Sequence, residues 1–452
     1  MTKKAVSKGS GGLKAGMARV DITPPLGVSM VGAFGDRKAE GIHDNLYARA
    51  LVLNDGRIDA AVVSCDLCFV GTPEVWKVRK MASQNTGIPE KNILICATHT
   101  HTGPQVNEVF LGVGETDRAY MDVLVRKIAD AICVAKSRLQ EAKIGAGTGR
   151  VENIFFNRRL RMPDGRVVMS WGDKTRLKDA SPAGPVDPEI GVIRIDDRKG
   201  NLMGMLVNYA CHSCTVGGKM ISADVPGLVC ELMSKSAKTD MIVSYLGGAC
   251  GNVVFGDYKD LRTKGGYERG YEIAHALARK IWRIAKGIRT SQKCRLKVED
   301  RTIDILDRPA SYAREQVKKG STPMVWGSEG TRDITEKQYA KEALHLSGQR
   351  RKKVPVEIQA IGINDAVIVT NPAELFVEFG LAMKKRSPFR HTFGVELANG
   401  YVGYVPTAKA FEEGGYEVRQ TANTSRLVPE AGDIIVKTSV DMLEKLKRRK
   451  QK

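Results

Sequence analysis

Short apolar segments alternate with longer amphipathic segments along almost the whole chain, and this alternation restricts the possible folds more than any other feature. The segments 46–53, 59–67 and 92–98 have the length and composition of buried strands, whereas 73–84 places its apolar residues at helical spacing. Strands and helices that alternate in this way pack as sheets covered by helices. The sequence therefore predicts an α/β fold with mixed β-sheets flanked by helices.

The same patterns predict the remaining elements. Helices are expected at 117–142, 225–237, 269–288 and 373–386, with two polar helices near 308–319 and 334–348. Strands are expected at 191–196, 202–210, 241–248 and 294–306, and a hairpin is expected to join 354–363 to 366–370 at Asn364 and Asp365. No repeat or clear linker divides the chain. We expect one domain at 13–446, between a disordered leader (1–12) and a basic tail (447–452).

Two histidines, His99 and His101, follow the apolar segment that ends near residue 98, in a chain with only seven histidines. Residues i and i+2 of an extended backbone point to the same side. Both imidazoles are therefore expected to project together from the end of a strand, where α/β folds place their sites. Two histidines alone do not complete a zinc site. The alternative interpretation is a loop in which both imidazoles form hydrogen bonds with nearby residues and bind no metal.

A third histidine, His212, follows another strand-like segment, and Asp224 comes next at a turn that opens a helix. A catalytic zinc takes three or four nitrogen or oxygen ligands and usually keeps one position for water. His99, His212 and a carboxylate would be sufficient. Cys211 and Cys214 form a C-x-x-C pair, but no second pair lies at zinc-ribbon spacing, so buried free thiols are the favoured interpretation.

Several classes of protein are disfavoured by the composition. No apolar run of about 18 residues is present that could span a membrane, and the first residues lack the apolar centre of a secretory signal. Nine scattered cysteines, an odd number, are typical of reduced thiols and not of a disulfide framework. We therefore expect a cytoplasmic protein without membrane insertion.

The net charge of +20 is large enough to attract acidic partners by long-range steering. The positive charges are dispersed and are not interleaved with aromatic residues, which disfavours nucleic acid as the partner. A small-molecule substrate that can be anionic is the expected partner, and the oligomeric state stays open.

Several motifs occur in the order in which the catalytic domain of neutral ceramidases carries them. They are the opening D-I-T-P-P-L-G-V-S-M-V-G, the T-H-T-H-T-G-P run, N-Y-A-C-H, N-P-A-E-L and N-G-Y-V-G-Y-V-P-T. From about Ala15 to about Asp441 the chain resembles that family. The family proper has a further immunoglobulin-like domain, so the resemblance is to its single-domain branch, and it implies the catalytic-domain fold of neutral ceramidases.

In that family one zinc ion is held by two histidines, a glutamate and a tyrosine, and the enzyme hydrolyses the amide of ceramide. The resemblance implies the ligands His99, His212, Glu374 and Tyr404, with Glu374 at the start of a helix after Pro372. Without the resemblance, Glu374 would be read as an acid that offsets a helix dipole, and Tyr404 as a half-buried strand residue.

The resemblance also implies residues that contact the substrate. His101, Arg158 and Tyr416 match positions that polarise substrate or stabilise an oxyanion, and Arg159 is the alternative to Arg158. Tyr401 lies just before the expected ligand Tyr404.

One motif departs from the family pattern. The family's G-D-V-S run falls at residues 251–254, where Asn252 replaces the acid and Val254 replaces the serine. Both the obvious general base and a serine nucleophile are thereby lost, although zinc can lower the pKa of a bound water to about 7. His101 is the first candidate to accept the proton. The other candidates are Asp66, Asp224 and Asp257.

Together these observations predict a metal-dependent hydrolase with a Zn²⁺ cofactor that resembles neutral ceramidase. It is expected to cleave an amide (N-acyl) bond of a small polar or anionic substrate, and not long-chain ceramide. The alternatives are an ester or glycosidic bond cleaved at the same zinc site, or a non-catalytic protein that binds zinc or a polyanion.

Overall fold

The computed structural model describes residues 12–171, 174–237, 240–260, 264–309, 329–347 and 349–449, together with residues 311 and 315. Within these residues the α-helices are α1 (Thr72–Thr86), α2 (Arg118–Ser137), α3 (Asp224–Ser236), α4 (Tyr267–Gly287), α5 (Glu329–Ser347), α6 (Val377–Arg386), α7 (Ala408–Glu413) and α8 (Ala431–Arg448). Short 3₁₀ helices occur at Glu90–Asn92, Lys174–Leu177 and Tyr416–Val418. None of the described helices is long and apolar enough to cross a bilayer.

The described chain also contains twenty-three strands. The first twelve are β1 (Lys14–Asp21), β2 (Ser29–Met30), β3 (Arg37–Lys38), β4 (Gly41–Ile42), β5 (Tyr47–Asn54), β6 (Asp59–Cys65), β7 (Ile93–Ala97), β8 (Gln140–Arg150), β9 (Phe155–Asn157), β10 (Arg159–Arg161), β11 (Val167–Met169) and β12 (Ser181–Pro182). The others are β13 (Glu189–Asp197), β14 (Leu202–Tyr209), β15 (Met220–Ile221), β16 (Ile242–Gly247), β17 (Val253–Phe255), β18 (Leu296–Leu306), β19 (Lys353–Ile363), β20 (Ala366–Thr370), β21 (Glu374–Leu375), β22 (His391–Val395) and β23 (Tyr404–Val405).

Two large mixed sheets organise these strands. The first has eight strands in the order β16-β14-β13-β8-β1-β5-β6-β7, in which β6 and β7 run parallel, as do β14 and β16. The second has four strands in the order β18-β19-β20-β22, with β20 and β22 parallel. The predicted α/β class with mixed sheets is confirmed.

The two sheets pack face to face between outer layers of helices. Successive strand residues face opposite ways, so Ala50 and Val63 of the eight-stranded sheet enter the core beneath α1 and α2, whereas Leu51 and Val62 enter the core shared with the four-stranded sheet. Helices α3 and α4 cover β13, β14 and β16, and α6 and α8 cover the outer face of the four-stranded sheet. The order of layers is helix, sheet, sheet, helix.

The two ends of the eight-stranded sheet approach each other. The Ser64 hydroxyl on β6 donates to the carbonyl of Tyr245 on β16, although these strands are far apart in the strand order. The loops that follow β7 and β14 are therefore brought together, and these loops carry His99 and His212.

Two predicted helices have the wrong boundaries. The helix predicted at 117–142 ends at Ser137, because the next residues form β8, where Ala142 and Ile144 are buried with the two-residue period of a strand. The helix predicted at 373–386 begins at Val377. Glu374 and Leu375 form the short strand β21, parallel to β23, so Glu374 is not a helix-start residue as predicted.

The other elements agree more closely with the sequence. The hairpin of β19 and β20 turns at Asn364, whose φ is +57°, and α5 corresponds to the second polar helix. The polar helix expected near 308–319 and the leader fall largely outside the described residues. Helix α8 ends at Arg448, so the first residues of the expected basic tail are helical. All nine cysteines are free thiols.

Candidate metal centre

His99 and His101 lie on a sharply bent segment, and not on an extended strand as predicted. Strand β7 ends at Ala97, and His99 has a φ of +67°. The bend is held by two backbone hydrogen bonds, from His99 N to Leu67 O and from His101 N to Ser213 O. The imidazoles converge nevertheless, with 3.3 Å between their Nε2 atoms. Strand alternation was thus the wrong reason for a correct expectation that the two rings lie together.

His212 completes a group of three imidazoles. Its Nε2 lies 3.2 Å from His99 Nε2. The opposite nitrogens of these two rings face backbone carbonyls: His99 Nδ1 is 2.9 Å from Cys68 O, and His212 Nδ1 is 3.3 Å from Cys250 O. If each Nδ1–H donates to its carbonyl, both Nε2 atoms present lone pairs to the same point. This arrangement orients the histidine ligands of many metal sites.

Glu374 brings a carboxylate to the same point. Its Oε1 accepts a hydrogen bond from the Tyr401 hydroxyl at 2.8 Å. Its Oε2 lies 3.3 Å from His99 Nε2 and is a buried oxygen that no hydrogen-bond donor among the described residues satisfies. A buried carboxylate oxygen without a donor is costly, and a cation between it and the imidazoles would remove that cost.

The spacing of this group suits a small divalent cation. The potential ligand atoms of His99, His212 and Glu374 all lie within 4.8 Å of one another. Two nitrogens bound tetrahedrally to one zinc at about 2.0–2.1 Å would be separated by about 3.3 Å, and the two histidine nitrogens are separated by 3.2 Å. Three convergent lone-pair atoms at this spacing form a possible metal site.

The electrostatics of the group follow from burial and mutual contact. Burial acts to raise the pKa of Glu374, but His99 and the hydroxyls of Tyr404 and Tyr401 outweigh it and lower that pKa to about 2. Burial, reinforced by His99, lowers the pKa of His101 to about 3. The centre therefore holds the ionised carboxylate of Glu374 beside the neutral imidazole of His101.

Tyr404, Tyr416 and Arg158 form one side of the centre. The two tyrosine hydroxyls are 3.0 Å apart, and the Arg158 guanidinium lies 4.9 Å from the ring centre of Tyr416 and 5.5 Å from that of Tyr404. Arg158 Nη1 is 3.4 Å from His212 Nε2. Arg159 instead donates to Glu413 and to Gly414 O, so it faces away from the imidazoles.

Glu417, which the sequence did not single out, fixes the position of Arg158. Its side chain is fully buried, with Oε1 3.1 Å from Arg158 Nε and Oε2 3.0 Å from Arg159 Nη1. Arg158 also donates to Gly251 O. The charge of Arg158 is thus compensated within the protein.

A cavity of about 520 Å³ opens onto the centre. His99, His101, Glu374, Tyr404 and Tyr416 contribute to its polar end. The apolar part of its wall is formed by Val31, Phe34, Phe69, Val109, Phe110 and Tyr339. The volume lies within the range of small-molecule sites, which also combine apolar walls with a few polar groups.

None of the three aspartates considered as proton acceptors lines this cavity. Asp66 is paired with Arg49, and Asp224 accepts hydrogen bonds from the backbone of Val216 and Val225. Asp257 caps a turn at Lys259 N. Among the candidates for the proton acceptor, His101 is the one that faces the cavity.

Asn252 has a structural role where the family pattern has an acid. Its Oδ1 accepts from Val377 N at the start of α6, and its Nδ2 donates to Glu378 Oε2, both at 2.9 Å. An aspartate here would confront the Glu378 carboxylate. Val254 lies on β17, which pairs with β9.

Cys68 and Gly32 are further residues of the centre that sequence reasoning missed. Cys68 lines the cavity, and its Sγ lies 3.5 Å from His99 Nδ1. Its position could have been inferred, because it follows β6, which runs parallel to β7 and ends at the same edge.

Gly32 has a φ of +94°, and a Cβ there would lie 2.6 Å from His101 Cβ, so no larger residue fits against that ring. By contrast, Cys211 and Cys214 belong to no potential metal-ligand group in the described chain.

The chain is similar to known proteins in both sequence and fold. Residues 13–257 match the family model for the N-terminal part of neutral/alkaline non-lysosomal ceramidase. Neutral ceramidase of Pseudomonas aeruginosa is 28% identical over 232 residues, which cover 47% of this chain and 32% of that protein. Neutral ceramidase B of Dictyostelium discoideum is 26% identical over 245 residues, which cover 52% and 33%. The chain thus matches about a third of the length of these relatives.

The fold is similar to solved structures over almost the whole chain. The crystal structure of neutral ceramidase from Pseudomonas aeruginosa superposes with a TM-score of 0.74 and 20% identity, covering 98% of this chain and 75% of that one. A ceramidase complexed with C2 superposes with a TM-score of 0.72 and 20% identity, covering 97% and 76%. At this identity the likeness concerns the fold alone.

Proposed function

This chain belongs to the neutral/alkaline non-lysosomal ceramidase family, and on that premise we propose that it is a zinc-dependent hydrolase that cleaves an amide (N-acyl) bond. The observation that carries the proposal is the convergence of His99 Nε2, His212 Nε2 and an unsatisfied Glu374 oxygen, two of whose residues, His99 and Glu374, line a cavity. Such a set of lone pairs is suited to a cation and to little else.

The proposed metal ligands are His99, His212, Glu374 and Tyr404. Two imidazoles with a carboxylate are typical of catalytic zinc sites. Burial raises the pKa of Tyr404 well above its usual value, so its phenol would need a bound cation to favour the anion. Zinc held here would polarise the substrate carbonyl and favour deprotonation of water.

His101 is proposed to accept the proton that water releases. Its low pKa keeps the ring neutral at pH 7, with a lone pair that can accept a hydrogen bond from the attacking water. A pKa of about 3 also makes the ring a weak base, so it would pass the proton directly to the leaving nitrogen. Its ring is packed against Gly32, and its carbonyl accepts a hydrogen bond from Arg37 at 2.7 Å, which limits its movement. An immobilised base of this kind loses little orientational entropy in the reaction.

Tyr416 is proposed to stabilise the oxyanion. Its hydroxyl faces both the Tyr404 hydroxyl and the cavity, and a hydroxyl donor placed at developing charge is a common source of rate enhancement. Arg158 lies over the Tyr416 ring and supports this role through its positive charge. Because Glu417 and Gly251 O already occupy its guanidinium, Arg158 acts as a positioning residue in this scheme.

The proposed substrate is a small N-acyl compound with a polar or anionic group, and not long-chain ceramide. The aromatic wall formed by Phe34, Phe110 and Tyr339 is suited to the acyl part. The cavity volume of about 520 Å³ favours one chain of limited length over two long chains. Apolar contacts between the acyl group and this wall should therefore contribute more to substrate recognition than the high net charge of the protein alone indicates.

Three variants test the assignment of roles. His101→Ala should keep the metal and lose turnover by about 10²-fold or more, since general-base catalysis contributes about 10²–10⁴-fold. His212→Ala should lose the metal and the activity together. His275→Ala, an exposed position on α4, is the matched control and should change neither.

The assay is release of fatty acid from N-acyl compounds of graded chain length, with long-chain ceramide included, alongside elemental analysis of each variant. If His101→Ala empties the site while His99→Ala does not, the two roles are exchanged. Efficient cleavage of long-chain ceramide would contradict the proposed substrate class.

A further inference from the structure

Arg37 is a cavity-lining cation that has no acidic partner among the described residues. Its guanidinium donates to three backbone carbonyls: Val31 O at 2.6 Å, His101 O at 2.7 Å and Gly218 O at 2.8 Å. Within the described parts of the chain, no carboxylate oxygen comes within 4.0 Å of it. Neutral carbonyls fix the orientation of the side chain but leave its charge uncompensated.

Apart from the Glu374 carboxylate, which is assigned to the metal, two other charged groups near the cavity have partners of opposite charge. Asp36, which also lines the cavity, lies 3.4 Å from Lys38 Nζ. Arg158 is compensated by Glu417. Arg37 Nε is buried and, among the described residues, has no hydrogen-bond partner. A guanidinium that lines a cavity and has only neutral carbonyl partners is suited to an anionic group of a ligand.

The position of Arg37 indicates where that anionic group lies. Arg37 is bonded to the backbone of His101, whose ring is 3.3 Å from His99 at the metal centre. The charge is therefore beside the proposed reacting groups. An anion at the far end of the acyl chain would instead lie against the aromatic wall of Phe34, Phe110 and Tyr339. The position of Arg37 beside His101 suits an anion on the amine half of the substrate, a few bonds from the amide.

We propose that Arg37 binds the carboxylate of an N-acyl α-amino acid, and that this class is the substrate of the centre. The inference rests on the proposed amidase function. In the reaction, water adds to the acyl carbon, the C–N bond breaks, and the amino acid nitrogen takes a proton. The products are a carboxylic acid and a free amino acid, with the apolar chain against the aromatic wall.

Turnover of a matched pair of substrates tests the proposal. N-lauroylglycine carries the carboxylate, and N-lauroylethanolamine has the same acyl chain and a neutral head. We expect the wild-type protein to give a kcat/KM about tenfold or more higher for the anionic compound, as a charge-assisted contact implies. Arg37→Gln should abolish this preference by reducing the anionic kcat/KM about tenfold more than the neutral one, since any loss from the freed His101 backbone is common to both substrates. Arg37→Lys should retain part of the preference. Lys77→Gln removes an exposed positive charge on α1 that does not line the cavity and should leave the preference unchanged.

Equal loss for both substrates in Arg37→Gln, with normal thermal unfolding, would show that Arg37 only holds the His101 backbone, and would overturn the proposal. So would a wild-type protein that prefers the neutral compound. Calorimetric binding of both compounds to a His99→Ala/His212→Ala variant, with and without Arg37→Gln, separates recognition from catalysis. Binding that depends on Arg37 without any turnover in the wild type would keep the anion site and reject the amidase function. No preference in binding would reject the anion site itself.

Discussion

Replacing Glu417 with glutamine removes the charge that compensates Arg158. The Glu417 side chain is fully buried and is bonded at 3.1 Å to Arg158 Nε and at 3.0 Å to Arg159 Nη1. A glutamine in the same position has one acceptor oxygen, and its amide group must face one of the two guanidiniums. Arg159 retains Glu413 and Gly414 O as partners, so Arg158 is the side chain that loses its counter-charge.

The expected cost is large because the pair is inaccessible to water. Removing one partner of a buried ion pair typically costs about 3–5 kcal/mol, and solvent screening at this site is minimal since the exposed fractions of Arg158 and Glu417 are 2% and 0%. We expect Glu417→Gln to lower the free energy of unfolding by that amount. Arg158 Nη1 is 3.4 Å from His212 Nε2, so an uncompensated guanidinium should also repel a bound cation.

Urea unfolding of wild type and variant, combined with the affinity for zinc, measures both effects. Glu413→Gln is the matched control, because Glu413 pairs with Arg159 and Arg161 but keeps 12% of its side chain exposed and does not contact Arg158. The control should cost less than Glu417→Gln, because Arg159 keeps Glu417 and Arg161 is partly exposed to water, and it should leave zinc affinity unchanged. A loss below about 1 kcal/mol with unchanged zinc affinity in Glu417→Gln would refute the reasoning.

Three further perturbations test other parts of the structure. Asn252→Asp should destabilise the protein by about 1–3 kcal/mol in urea unfolding, because two carboxylates would share a partly buried contact, and Glu378→Gln in the same chain should restore most of the loss. Gly32→Ala should lower the free energy of unfolding by about 1–3 kcal/mol and reduce turnover, because Gly32 has a φ of +94° and a Cβ there would clash with His101. A melting curve and an activity equal to those of the wild type would contradict this prediction. Burial raises the pKa of Asp224 to about 7, so the folded protein holds a proton that the unfolded chain releases near pH 4. Stability should fall as pH rises between about 4 and 7, by at most ~1.4 kcal/mol per unit, and Asp224→Asn should flatten that slope.

Most of the fold could be predicted from residue periodicity, because strands and helices with one buried face repeat their apolar residues at fixed intervals. The predicted helix boundaries were wrong where tertiary hydrogen bonds, and not the local sequence pattern, determine the structure. Glu374 lies in a sequence that resembles a helix start, yet it forms β21 because Gly403 O and the Glu396 carboxylate accept the backbone hydrogens of residues 374 and 375. These two acceptors lie more than twenty residues away in sequence.

The candidate site was predicted from ordered motifs and not from geometry. The structure brings His99, His212 and Glu374 together, and their role as ligands stays a prediction. Glu417 and the uncompensated charge of Arg37 could not be found from the sequence, since each depends on neighbours from distant segments. Cys68 could have been placed, because it follows β6, which is parallel to β7.

The zinc content of the purified protein tests the central claim most directly. Protein prepared without chelator should contain about one zinc ion per chain by elemental analysis, whereas His212→Ala prepared in parallel should contain almost none. A wild-type chain that is folded and free of divalent metal, or a His212→Ala chain that keeps the full amount, would contradict the account.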